Sequence, residues 1–125
     1  MKKCIVILAA VFIVYGKANA QEAKPAKQFM QVTTVESVVA GGLGRSRLLI
    51  TNPDGSQKEL DLENLFSLTG INFKNIKQNE DRILQVLKEY TGLGWNLEQV
   101  IPLTLSPNDT GSGGIFMTRY LFSKI

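Results

Sequence analysis

Thr91–Ile101 reads TGLGWNLEQVI and holds the only tryptophan of the chain. Its two glycines separate two patterns of different period. Upstream, EDRILQVLKEY (residues 80–90) puts Ile83, Val86, Leu87 and Tyr90 at i, i+3, i+4 and i+7, which is one face of an α-helix. Downstream, WNLEQVIPL (residues 95–103) reads as a strand with Trp95 and Leu97 on one face. Gly92 is suited to the left-handed position that ends a helix, and Gly94 lets the chain turn back. Trp95 is therefore expected to pack under the helix near Tyr90 and Ile83. Stacking on a ligand is its alternative role.

Working outward, Asn79 offers a helix N-cap, with Glu80 and Asp81 in a first turn where the helix dipole favours acids. Before it, Glu63–Gln78 is less regular. LENLFS could form one helical turn with Leu62, Leu65 and Phe66 inward, and the following TGINFKNIKQN would be a connection anchored by Phe73 and Ile76. Further upstream, FMQVTTVESVV (29–39) is rich in β-branched residues and predicts a strand. RLLIT (47–51) and QKELDL (57–62) flank NPDGS, whose residues stand in turn order, and together they predict a β-hairpin. In its second strand Leu60 and Leu62 share one face, with Glu59 and Asp61 on the other. Towards the end, TLSPNDTGSGG is a polar loop and IFMTRYLFSK (115–124) a last strand. Phe116, Thr118, Tyr120 and Phe122 occupy one of its faces; Ile115, Met117, Arg119 and Leu121 occupy the other. A strand apolar on both sides is ordinarily covered on both.

The expected fold is α+β: an antiparallel sheet of about five strands with one amphipathic helix packed on one face. A single helix cannot cover both faces of such a sheet. Either the sheet curls on itself or another molecule covers the remainder.

The first twenty residues stand apart from this fold. MKK is a positive leader, CIVILAAVFIVY an apolar run, and ANA (18–20) a small-x-small cleavage signal before Gln21. The run is shorter than the ~20 residues of a spanning helix. A secretory signal peptide is expected over residues 1–20, a flexible tether over 21–28 and a single domain over 29–125. The product would be periplasmic or secreted. Cleavage would remove Lys2, Lys3 and Lys17 from the 14 basic residues, leaving 11 against 11 acidic ones. No basic excess then remains to suggest a nucleic-acid partner. It would also remove Cys4, the only cysteine, and with it any disulfide, thiolate nucleophile or cysteine-ligated zinc. The chain has no histidine, hence neither the commonest general base nor the commonest transition-metal ligand.

At LKEYTGLGWNLEQV and FMTRYLFSK the chain resembles a small bacterial family, the domain of unknown function numbered 4177. Gly94, Trp95, Leu97 and Val100 correspond to its G-W-x-L-x-x-V strand after a helix. Phe116, Tyr120, Phe122 and Lys124 correspond to its closing aromatic strand with a terminal basic residue. The likeness runs from about Ile83 onward, and the Gly44–Gln78 region is an insertion relative to it. It implies the fold and carries no activity.

Candidate chemistry is sparse. AGGLGRSR (40–47) has neither the lysine of a phosphate-binding loop nor the third glycine of a dinucleotide fingerprint. Glu36, Glu59, Asp61, Glu63, Glu89 and Glu98 are spread over several elements, with no pair singled out for glycoside chemistry. SPNDTGSGG lacks the spacing of a calcium loop, and Ser46, Ser56 and Ser112 have no base placed to activate them. The expectation is a non-enzymatic binding or assembly module with no cofactor and no metal. Its partner would be a second copy or another envelope protein. Phe116, Tyr120 and Phe122 would make the contact, with Arg119 at the rim. The alternative is a small-ligand or glycan binder using Trp95, Tyr120 and the loops.

Overall fold

The computed structural model describes residues 24–39, 44–105 and 114–125. The expected export peptide, the AGGL run and the middle of the Thr104–Gly114 loop lie outside the described residues. Eight elements follow one another: β1 (Gln28–Ser37), β2 (Ser46–Thr51), β3 (Gln57–Leu62), β4 (Phe66–Ser67), β5 (Gly70–Ile71), α1 (Phe73–Gly92), β6 (Asn96–Leu105) and β7 (Ile115–Lys124). Five strands form one antiparallel sheet in the order β3-β2-β1-β7-β6, and β4 and β5 pair separately as a small hairpin. The α+β architecture is the expected one, with α1 packed on one face of the sheet.

The β2–β3 turn shows why this sequence makes a hairpin. The Gly55 amide donates to the Asn52 carbonyl and the Asn52 amide to the Ser56 carbonyl. Gly55 has φ +83°, which its missing Cβ permits, so Asn52–Gly55 closes as a turn matched to the strand twist. The Asp54 carboxylate accepts from both the Ser56 amide and hydroxyl, and these bonds hold its pKa below the usual value.

Alternation along β1, β2 and β7 builds the core. Met30, Val32, Leu48, Ile50, Leu62 and Phe122 face Ile83 and Val86 of α1, and all eight are buried. Each fully buried side chain of this kind contributes ~1.5–3 kcal/mol. Leu60, Leu87, Tyr90, Trp95 and Tyr120 surround them, with the Tyr90 and Phe122 rings 6.4 Å apart. Core residues come from β1, β2 and β3, only Phe122 comes from β7, and none comes from β6. The helix therefore leans over one half of the sheet.

The helix differs from expectation at both ends. It begins at Phe73, with the Asn72 side chain accepting from the Asn75 amide as N-cap. Asn79, expected as the cap, lies two turns inside and is 1% exposed. It occupies an inward position of the Ile76–Asn79–Ile83–Val86–Tyr90 stripe. Its amide group accepts from the Glu63 amide and donates to the Glu63 carbonyl and to Glu36 Oε1, at 2.8, 2.8 and 3.0 Å. Glu80 and Asp81 are consequently not in the first turn, which carries no acid. LENLFS forms no helical turn; its last two residues are β4. Phe73 is no anchor either, being 77% exposed.

At the other end Gly92 is still helical and Leu93 is the C-cap. Gly94 takes the left-handed conformation, φ +86°. Its amide donates to the Thr91 carbonyl, and the Trp95 amide donates to the Tyr90 carbonyl. This is a Schellman closure, in which the residue after the glycine packs back on the last helical turn. Trp95 is that residue. It precedes β6, and it is half-buried against the core. Lys124, at the end of β7, donates to the Leu93 carbonyl at 2.7 Å and fastens the sheet to the helix end.

Candidate docking surface

Strand register fixes which residues share the face turned away from α1. One row across the sheet runs Leu103, Met117, Val35, Arg47, Asp61; the next runs Ile101, Arg119, Thr33, Leu49, Glu59. Leu105 and Ile115 pair beyond the first row, and Leu121 lies next to Gln31 beyond the second. The β6–β7–β1 part of this face is thus apolar. Leu103 is 43% exposed, Leu105 67% and Ile115 36%, with Ile101, Met117, Val35, Leu49 and Leu121 half-buried between them. Leu103, Thr104, Leu105, Ile115, Met117 and Arg119 line a shallow hollow of about 270 Å³.

Charges bound the apolar area on two sides. On β2 and β3, Arg47 Nε lies 2.6 Å from Glu59 and its Nη1 2.9 Å from Asp61. These are solvent-exposed pairs and contribute little to stability. At the other margin Lys27 pairs with Glu98 at 2.8 Å and sits over the Phe29 ring. Glu98 also accepts from Ser123. The Lys27 contact, then the Ser123 bond, hold the Glu98 carboxyl below the usual carboxylate range. Glu98 reaches this face because the β6–β7 register shifts between Leu97 and Gln99, so that one extra residue is accommodated as a bulge.

Strand β6 is one edge of the sheet, with β3 the other, and Pro102 stands in the middle of β6. Proline lacks the amide that an added strand would need, so it blunts the edge against strand pairing. What β6 presents to a partner is side chains.

The residues expected to make a contact are divided by the structure. Phe122 is fully buried under the helix and unavailable to any partner. Tyr120 is half-buried beside it; burial first, then Glu80 and Glu36, push its hydroxyl pKa up. Phe116 is 46% exposed, on the helix side of the sheet. Arg119 lies on the opposite face, inside the apolar area. The four do not form one patch. Trp95, expected to pack under the helix with ligand stacking as the alternative, is half-buried against the core at the helix closure. Sequence reasoning missed the contribution of Ile101, Leu103 and Leu105. Their alternation with Pro102 and Thr104 was the available signal.

Near the helix, Glu36 is raised above its ordinary value of 4.5 by burial; the Asn79 bond opposes this and Glu80 adds to it. Among the described residues no group of three His, Cys, Asp or Glu side chains could hold a metal ion. No helix among them is long and apolar enough to cross a membrane. No family model, curated protein or solved structure matches the chain.

Proposed function

We propose that the protein is a non-catalytic binding or assembly module of the bacterial cell envelope, exported by residues 1–20. In this reading it works through the sheet face opposite α1, and a second copy of the chain covers that face. The observation that carries the reading is the apolar area centred on Leu103, Leu105, Ile115 and Met117, exposed on a sheet whose only helix among the described residues lies on the other side. Contiguous exposed apolar surface of this kind marks interaction sites. Two further points favour a sister chain. From Gln21 onward acidic and basic residues balance at 11 each, so copies do not repel one another. And Pro102 directs association to the face, where two sheets can stack at ~10 Å and interdigitate their side chains.

Among the described residues every strand, the helix and every core residue lie at or after Gln28, so the chain from Gln21 retains all of them. The test is its solution mass by sedimentation across a concentration range. A dimer is expected, dissociated by Leu103→Asp but not by Phe116→Asp, which sits on the other face. A monomer at every concentration, or dissociation by Phe116→Asp alone, would refute this assignment.

A further inference from the structure

A second apolar site lies away from that face, on the β4–β5 hairpin and the first turn of α1. Leu68 is 90% exposed, Ile71 57% and Phe73 77%. Three large side chains within six residues stand clear of the molecule, and the core does not need them. Their setting is braced. Phe66 pairs with Ile71, the Asn72 amide donates to the Leu65 carbonyl at 2.9 Å, and the Asn75 side chain donates to the Asn64 carbonyl at 2.8 Å. Asn79 ties the next turn of the helix to Glu63. The tip is therefore presented in a fixed shape, with little ordering left to lose on binding.

Within the segment itself the charge has one sign. Residues 64–79 contain Lys74 and Lys77 and no aspartate or glutamate. Both lysines are exposed, and Phe73 and Lys77, four residues apart, share a helix side. Of the acids bordering the segment, only Glu63 lines the hollow behind the hairpin, with Asn64, Phe66, Ser67, Leu68, Thr69 and Asn75.

We propose that this tip is a membrane-contact site, taking an anionic phospholipid surface as its ligand. A protruding apolar tip needs no complementary groove to enter the headgroup–acyl boundary, whereas a protein partner would have to supply one. Lysines beside it meet lipid phosphates as the side chains insert, and each strengthens attraction to an anionic surface. The site is independent of the sheet face. Leu68, Ile71 and Phe73 would enter the interface while the β6–β7 wing stays free.

The experiment is cosedimentation of the chain from Gln21 with phosphatidylcholine vesicles, with and without phosphatidylglycerol. Binding is expected only with phosphatidylglycerol and should fall as salt rises. Lys74→Gln with Lys77→Gln should weaken it roughly 25-fold, about fivefold for each charge. Leu68→Asp and Phe73→Asp should abolish it with the melting temperature unchanged, since both side chains are largely exposed. Leu103→Asp should leave vesicle binding intact while altering solution mass, which separates this site from the docking face. Absence of binding to phosphatidylglycerol vesicles overturns the proposal. So does binding that survives both Leu68→Asp and Phe73→Asp, or a tip that captures only protein.

Discussion

Replacing Asn79 by alanine tests the least expected feature of the fold, a buried amide that joins the helix to β1 and to the chain just after β3. The substitution removes three hydrogen bonds, to the Glu63 amide, the Glu63 carbonyl and Glu36. Neutral bonds contribute ~1 kcal/mol each, and one to a charged acceptor somewhat more. Glu63 is itself exposed and Glu36 half-buried, so water can replace part of what is lost. The net cost should be ~3 kcal/mol, a large share of the ~5–15 kcal/mol typical of a domain. In thermal unfolding followed by circular dichroism that is a fall of roughly 10–20 °C. Gln78→Ala, one residue away and exposed, is the control and should stay within ~0.5 kcal/mol. If Asn79→Ala unfolded within ~0.5 kcal/mol of the parent in urea, the three bonds would not hold the helix to the sheet. The account of why α1 leans towards β3 would then fail.

Three other substitutions have clear signs. Burial raises the Glu36 pKa, so its contribution to stability is fully present below its ordinary value of 4.5 and is lost as pH rises through the raised folded value. Glu36→Gln should therefore raise the melting temperature at pH 7 and give no such gain at pH 4; an equal gain at both would sink the idea. The two glycines at the helix end should respond oppositely to alanine. Gly92 is helical with open space where a Cβ would stand, so Gly92→Ala should stabilise by ~0.5–1 kcal/mol. At Gly94 a Cβ would meet only ordinary contacts with Lys124, but φ is +86°, so Gly94→Ala should cost ~1–2 kcal/mol. Denaturant midpoints decide both, and the reverse order would place the helix cap at Gly92.

Where the sequence could be read, one local rule settled the matter. The apolar alternation of QKELDL and the NPDGS turn specify a hairpin by themselves, and the last strand, Ile115–Lys124, runs as expected. The helix from Ile83 to Tyr90 was legible for the same reason. Its start was not, because Asn79 breaks the apolar stripe with a polar residue that long-range bonds to Glu63 and Glu36 make acceptable inside. No periodicity argument reaches those partners. Phe73 misled for the opposite reason, an aromatic whose 77% exposure no local pattern betrays. The contact face was half legible. Both sides of β7 read as apolar, but which side the helix would take depended on strand order. That order sent Phe122 into the core and Arg119 to the open face.

The asymmetry of the helix links these details to the functional reading. Asn79 holds α1 to the chain after β3, and Lys124 and the Trp95 closure hold its far end beside Phe122. Pinned at both places, the helix spans the β3, β2 and β1 half of the sheet and reaches β7 only near its end. Strand β6 is left with a single half-buried residue, Ile101, among ten. An edge strand so exposed is ordinarily charged or short. This one is long, carries Ile101, Leu103 and Leu105 on the face away from α1, and is protected from strand addition by Pro102. Charge would have protected it more cheaply in stability if solvent were its only neighbour. Its apolar face, blocked at the edge and open on the flat, fits a surface kept for stacking against another sheet.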